Sequence, residues 1–145
     1  MKTIQPAELQ KIVSAQPGTA LLDVRTPVEF AQAHVPTAQN IPLDQLDPKA
    51  LVASGTLPQD QPVYILCRSG GRAGKAASQF ASQGLTNAIV VEGGTQAWIE
   101  AGFPVDRGTS NVISLERQVR IAAGALVVTG LLLAWLIHPL SLIHI

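Results

Sequence analysis

Two short, uninterrupted apolar runs constrain the fold of this chain more than any other feature of its sequence. Residues 63–66 (VYIL) and 88–91 (AIVV) are aliphatic or aromatic throughout. Strands buried on both faces have this pattern, and they belong to parallel sheets covered by helices. Weaker strand candidates lie at residues 20–24 and 40–41. The pattern therefore predicts an α/β fold with a mostly parallel sheet.

Helical patterns lie between the strand candidates, as α/β alternation requires. Pro6 stands at a first-turn position, and Gly84 and Gly102 follow two of the segments, where helices commonly end. This alternation predicts one α/β domain over residues 1–107. The predicted helices are residues 6–15, 27–33, 43–54, 71–83 and 95–101.

Composition narrows the class of partner and compartment. The chain has 145 residues, enough for one domain with its own core. Ten basic residues balance ten acidic ones, so nothing indicates nucleic acid as a partner. A single cysteine excludes an intramolecular disulfide and a multi-cysteine metal site, and it suits a reducing compartment. No metal and no cofactor are expected.

A long uncharged segment follows the predicted domain. After a linker at residues 108–118, residues 121–137 run for seventeen positions without a charge. As a helix this run is about 25 Å long, against a hydrocarbon core of roughly 30 Å. We therefore predict that residues 119–145, which follow the globular domain, form a transmembrane anchor. A buried core helix is the alternative for a run of this length.

The charges around the apolar run predict its orientation. Arg107, Arg117 and Arg120 precede it, and no lysine or arginine follows it. The positive-inside tendency then places the globular domain in the cytoplasm, on the inner (cytoplasmic) membrane. The lipid bilayer is an expected partner. Gly124 and Gly130 would let two such helices approach closely, so a homo-oligomer through this segment stays open.

The only cysteine, Cys67, follows the apolar run at residues 63–66 directly. In parallel α/β sheets, ligands bind at the carboxyl ends of strands. The backbone N–H groups of residues 68–72, with the positive end of the next helix dipole, would form an anion-binding nest around the sulfur. Gly70 and Gly71 permit the backbone angles that such a loop needs.

Three cations surround this cysteine in sequence. Arg68, Arg72 and Lys75 lie within eight positions of it, and electropositive surroundings raise the thiolate fraction of a cysteine. The loop thus favours a nucleophile and an anionic substrate together. A small hydrophobe at the end of a strand is the other interpretation of Cys67. Local chemistry alone leaves both open.

Longer motifs make the chain resemble a rhodanese domain. The stretch LLDVRTPVEFAQAHVPTAQNIP at residues 21–42, the loop CRSGGR, and VEGGTQAWIEAGFPV at residues 91–105 are similar to signatures of that family in order and spacing. Two positions depart from the signature, because Ala33 and Thr37 stand where the family usually has glycine. Those departures put the local shape of one turn in doubt.

The C-terminal part carries a second resemblance. A rhodanese domain followed by RQVRIAAGALVVTG resembles the bacterial membrane-anchored rhodaneses of the YgaP type. A second span normally follows in that type. The chain instead ends in LSLIHI, which back-translates to a string resembling a sequencing adapter, so we expect the natural chain to continue.

The resemblance implies sulfur transfer. A Cys67 thiolate would take the sulfane sulfur of a donor such as thiosulfate, and the resulting Cys67 persulfide would pass it to a thiol or cyanide acceptor. This is covalent catalysis, and it requires no histidine as a general base. By the same resemblance, Asp23, Arg25 and Glu29 brace the fold near the loop, and His34 is structural. The residues expected to bind the donor are Arg68, Ser69, Gly70, Gly71 and Arg72.

Two other functions remain open on the sequence. A cysteine phosphatase uses a related loop, but such loops usually place one more residue between cysteine and arginine than lies between Cys67 and Arg72. The tighter ring of N–H groups suits a sulfane sulfur better than a phosphate ester. A membrane-tethered sensing or binding module, in which Cys67 accepts reversible caps such as persulfide without rapid turnover, is the second alternative.

Overall fold

A parallel sheet flanked by helices forms the N-terminal part of the chain, as the apolar runs predict. The computed structural model describes residues 1–108 and 115–141, with side chains for residues 1–108 and 118–137. Within these residues the strands are β1 (Lys2–Ile4), β2 (Ala20–Asp23), β3 (Gln39–Asn40), β4 (Val63–Leu66) and β5 (Ala88–Val91). All the pairings are parallel, in the order β1-β5-β4-β2-β3. β4, which precedes Cys67, is the central strand.

Helices cover both faces of this sheet. Along β4, Ile65 packs with Phe80 on one face, and Leu66 packs with Trp98 on the other. This alternation follows from the two-residue period of a strand, and burial on both faces explains why the run has no polar interruption. The helices of this part are α1 (Pro6–Ala15), α2 (Pro27–Gln32), α3 (Pro48–Ala53), α4 (Gly71–Ser82) and α5 (Gly94–Glu100), and α6 (Leu115–Ser141) follows them in the C-terminal part of the chain.

Two parts of the predicted secondary structure were wrong. The single helix predicted over residues 43–54 is a 3-10 turn at Leu43–Gln45 followed by α3. Pro48 has no N–H and disfavours a helical residue before it, so the helix starts there, with Asp47 accepting a hydrogen bond from the Ala50 N–H at 3.3 Å. Strand β1 was missed because three residues at a sheet edge give no readable period.

The turn between α2 and β3 contains both departures from the family signature. Ala33 has φ −163°, which is extended backbone that any residue adopts. Thr37 has φ +69°, in the left-handed region, and it is the one residue other than glycine there within the described chain. A β-branched side chain in this conformation is strained by about 1–2 kcal/mol. The missing glycine therefore matters at Thr37 and not at Ala33.

Helix α6 belongs to a second compact unit, Ser110–Ile145, separate from Met1–Thr109. Its segment Gln118–Ile137 has a mean hydropathy of 2.0 and is unburied throughout. In length and composition this segment could cross a membrane. The division of the chain into a domain, a linker and an anchor stays a prediction, because residues 109–114 and the last four residues of LSLIHI lie outside the described residues.

Replacing Thr37 by glycine should stabilise the chain. We expect Thr37→Gly to raise the free energy of unfolding by roughly 0.5–1 kcal/mol. The strain energy that is relieved in the folded chain exceeds the entropic stabilisation that glycine gives to the unfolded chain. Ala33→Gly is the matched control, and it should lower stability by about 1 kcal/mol since it removes a buried methyl from extended backbone. Denaturant unfolding measures both. A destabilised Thr37→Gly would contradict the strain.

Candidate active site

Cys67 lies where the central strand ends and the chain turns into α4. Its side chain is 1% exposed. The Gly70 N–H donates a hydrogen bond to the Cys67 Sγ over 2.9 Å. Gly70 has φ +116°, a conformation that a residue with a Cβ rarely adopts, so the glycine is what allows this amide to turn back onto the sulfur.

The sulfur also lies next to the N-terminus of a twelve-residue helix. The first N–H groups of an α-helix have no acceptor within the helix, and they carry the positive end of its dipole. In α4 these groups belong to Gly71, Arg72 and Ala73. The position therefore favours an anion bound beside the sulfur.

The far wall of the loop is the start of α5, which the sequence analysis did not assign to the site. The Thr95 N–H donates to the Cys67 carbonyl oxygen at 2.8 Å, and the Gln96 N–H donates to the Arg68 carbonyl oxygen at 3.1 Å. Gly94 makes this approach possible, because a Cβ there would collide with the Cys67 carbonyl oxygen and come within 2.9 Å of the Arg68 carbonyl carbon. The pair Gly93 and Gly94, shortly after the buried strand β5, was the sequence signal that could have identified this wall.

Arg72 is held by Glu29 in a two-bond ion pair. Its two terminal nitrogens donate to the two carboxylate oxygens of Glu29 over 2.7 and 2.8 Å. Glu29 also accepts from the Thr26 backbone N–H at 3.0 Å, which completes a capping box at the start of α2. The hydrogen bonds from Arg72, followed by those from Thr26, lower the pKa of Glu29 from its ordinary 4.5 to about 2. The bond to Glu29 in turn raises the pKa of Arg72.

Asp23 and Arg25 form a second, buried pair at the end of β2. The Arg25 Nε and a terminal nitrogen donate to the Asp23 carboxylate over 3.0 and 2.8 Å. The same terminal nitrogen donates to the Ala33 carbonyl oxygen at 2.7 Å. With both charges compensated and hydrogen-bonded, this pair ties β2 to the end of α2, which carries Glu29.

The remaining residues predicted for the site divide by exposure. Arg68 and Ser69 are exposed, as is Gly71, whereas Gly70 is half-buried. Arg72 and Glu29 are each about a third exposed. The structure thus brings Cys67, Gly70 and Arg72 together with Glu29. Arg68, within the loop, has no ion-pair partner among the described residues.

His34 lies in the turn after α2. Its ring stacks on Phe30 with centroids 3.8 Å apart, and Nδ1 donates to the Phe30 carbonyl oxygen at 2.8 Å. Its backbone pairs with Asp106 in both directions at 2.9 Å. These contacts give His34 a packing environment in the turn, in keeping with the structural role expected for it.

The residues 5–101 match the model of the Rhodanese-like domain family. An uncharacterized protein of Synechocystis sp. is 38% identical over 137 residues, covering 94% of this chain and 74% of that protein. A sulfurtransferase of Allochromatium vinosum is 34% identical over 59% of this chain and 76% of its own. The crystal structure of a rhodanese-related protein from Thermoplasma volcanium has a TM-score of 0.61 and 34% identity, covering 73% of this chain and 98% of its own. Against relatives named as probable adenylyltransferase/sulfurtransferase, the chain spans 26% of their length.

Removing the charge of Glu29 should destabilise the fold in a pH-dependent way. The folded pKa of about 2 lies below the ordinary 4.5, so the stabilisation is present above pH 4.5 and is lost as the pH falls towards 2. We expect Glu29→Gln to lower the free energy of unfolding at pH 7 by ~1–2 kcal/mol, less than the full pKa shift implies because solvent screens the pair.

Denaturant unfolding of the full chain at pH 7 and near pH 3 measures this difference. Glu8→Gln, on the exposed face of α1, is the matched control and should change stability little at either pH. Equal effects of the two substitutions would refute the contribution of the ion pair.

Proposed function

We propose, from the premise that this chain belongs to the rhodanese-like domain family, that it is a sulfurtransferase using Cys67 as its nucleophile. The sulfurtransferase among its relatives supports the reaction class. The observation that carries the proposal is the hydrogen bond from the Gly70 N–H to the Cys67 Sγ at the N-terminus of α4. A thiolate is stabilised by such a donor, and a nucleophile needs that form of the group.

The donor proposed is a small sulfane-sulfur anion such as thiosulfate. The Cys67 thiolate attacks the outer sulfur, a new S–S bond forms, and the bond to the sulfonate sulfur breaks with its electron pair. Sulfite leaves, and a Cys67 persulfide anion remains. Because a thiolate attacks and a stable anion leaves, no proton has to be moved in this step.

The loop supplies the electrostatics of that step. N–H groups of the loop and of the first turn of α4 would hold the donor oxygens and the charge that develops on the leaving group. Arg68 is exposed and free of an ion pair among the described residues, so its charge is available to the donor. Arg72 is oriented by Glu29, and its charge acts on the site from a fixed position.

The second half-reaction regenerates the thiolate. A thiol or cyanide attacks the outer persulfide sulfur, and the electron pair of the broken S–S bond returns to the Cys67 Sγ. With cyanide the product is thiocyanate. In each half-reaction the nucleophile supplies the electron pair for the new bond and the leaving sulfur keeps the pair of the broken bond, so no electrons enter or leave and no redox cofactor is needed.

Substituting the nucleophile tests this function. Full chain in detergent, incubated with thiosulfate, should gain the mass of one sulfur atom, release sulfite and form thiocyanate with cyanide. Cys67→Ser should show none of these, because a hydroxyl is a far weaker nucleophile than a thiolate. Intact-mass spectrometry and a thiocyanate assay measure the outcome.

Arg72→Ala serves as the companion variant. It should still gain sulfur, at higher thiosulfate concentrations, because it leaves the nucleophile in place. Sulfur gain by Cys67→Ser would refute the mechanism, and hydrolysis of an aryl phosphate blocked by vanadate would favour a phosphatase. Loading followed by slow discharge to every acceptor would favour the persulfide-sensing module.

We further propose that α6 anchors the catalytic domain to the cytoplasmic face of the inner membrane, as in the YgaP type of membrane-anchored rhodanese. The segment Gln118–Ile137 is uniformly unburied and apolar enough for a span. Thr129 satisfies its hydroxyl by donating to the Ala125 carbonyl oxygen at 2.8 Å, as a polar side chain in lipid must. The arginines before the span support the orientation.

A charge in the middle of α6 should weaken the anchor. Val128→Lys costs about 2.5–3.5 kcal/mol of insertion free energy at the centre of a span, whereas Gln118→Lys lies at its polar end and costs little. We expect the wild-type chain and Gln118→Lys to resist alkaline carbonate extraction from membranes, and Val128→Lys to be partly extracted. Extraction of the wild-type chain would contradict the anchor.

A further inference from the structure

A cavity of about 460 Å³ lies beside the catalytic loop, between α2 and α5. Arg68, the residue after Cys67, forms part of its wall, and so does Thr95, whose N–H is bonded to the Cys67 carbonyl oxygen. Ala33 and Ile99 add apolar surface. Its volume is within the range that small-molecule sites have.

Thr95, a residue of this wall, has an unsatisfied buried hydroxyl. The residue is 2% exposed, and its Oγ1 has no hydrogen-bond partner among the described residues. A buried hydroxyl without a partner is destabilising, and such groups in folded proteins are rare enough to require an explanation. Rotation about the Cα–Cβ bond of Thr95 would let a polar ligand in the adjacent cavity supply the partner.

The charged residues of the wall are of two kinds. Arg25 and Glu29 are already compensated, by Asp23 and Arg72 respectively. Arg68 and Glu100 are exposed, and neither forms an ion pair within the part of the chain that the structure describes. The cavity therefore offers one uncompensated positive and one uncompensated negative charge. That combination is complementary to a zwitterion.

We propose that this cavity binds the sulfur acceptor, and that the acceptor class is a small zwitterionic thiol, with a carboxylate for Arg68 and an ammonium group for Glu100. The proposal rests on the proposed function. Free cysteine has this chemistry.

Sulfur transfer from the Cys67 persulfide to the acceptor balances in atoms and electrons without a further reactant. The acceptor thiolate attacks the outer sulfur of the Cys67 persulfide, and an S–S bond forms between them. The bond from the outer sulfur to the Cys67 Sγ breaks, and its electron pair stays on the Sγ. The products are the acceptor persulfide anion and the Cys67 thiolate, ready for the next donor.

Four thiols distinguish the contribution of the acceptor carboxylate from that of its ammonium group. Cysteine carries both, N-acetylcysteine only the carboxylate, cysteamine only the ammonium group, and 2-mercaptoethanol neither. Full chain loaded with thiosulfate and freed of excess donor is discharged by each thiol, and the rate of each variant is divided by the wild-type rate with the same thiol. This ratio removes the intrinsic nucleophilicity of the thiols.

Glu100→Gln should slow discharge by cysteine and cysteamine roughly three- to five-fold, the effect of an exposed ion pair, and leave the other two thiols unchanged. Glu8→Gln is the matched control and should alter no ratio. Thr95→Val should slow discharge by cysteine about three- to ten-fold. The free energy of unfolding of this variant should stay equal or rise, because the substitution removes the unsatisfied hydroxyl. Thr95→Ser should restore the rate.

Binding of S-methylcysteine, which cannot accept sulfur, separates this inference from the proposed function. Ligand-observed NMR should detect its binding to the full chain and a weaker binding to Glu100→Gln. A chain that binds it but never loads sulfur would refute the proposed function and leave the cavity as a zwitterion site with no acceptor role. Equal effects of Glu100→Gln on all four thiols, or no effect on S-methylcysteine, would overturn the inference.

Discussion

The contact between the catalytic loop and the start of α5 determines how the rest of the site is arranged. Two consecutive carbonyl oxygens, those of Cys67 and Arg68, accept hydrogen bonds from the N–H groups of Thr95 and Gln96. In a planar trans peptide the N–H points away from the carbonyl of the same unit. The N–H groups of Arg68 and Ser69 therefore face away from α5. Gly94 is required for this contact, because a Cβ would occupy the place of the Cys67 carbonyl oxygen.

The charges of the site are likewise set by the fold. The Glu29 carboxylate caps the start of α2 with Thr26 and also holds Arg72 on α4. One carboxylate thus fixes a helix start and a cation near the sulfur together. The buried Asp23–Arg25 pair joins β2 to the other end of the same helix. Donor chemistry at Cys67 and stability of the α2 region are for this reason expected to respond to the same substitutions.

Sequence reasoning succeeded where one local rule decided the outcome. β4 and β5 have the predicted bounds because burial on both faces leaves an unbroken apolar run, and the Gly-rich loop after β4 marks a turn onto a helix N-terminus. The predicted helix over 43–54 was wrong because Pro48 overrode its apolar pattern. Pairing of Glu29 with Arg72 spans 43 positions, and no local pattern reports it. Nothing in the sequence indicates that the Thr95 hydroxyl is unsatisfied, because the lack of a partner results from how the residues pack around it.

Sulfur transfer through Cys67 depends on the loop amides holding the added sulfur on this residue. A crystal structure of the full chain after treatment with thiosulfate tests this most directly. We predict an additional sulfur atom bonded to the Cys67 Sγ and within hydrogen-bond distance of N–H groups of residues 69–73, with the Thr95 and Gln96 contacts to the loop retained. An unmodified Cys67, or an added sulfur directed away from those N–H groups, would contradict the account.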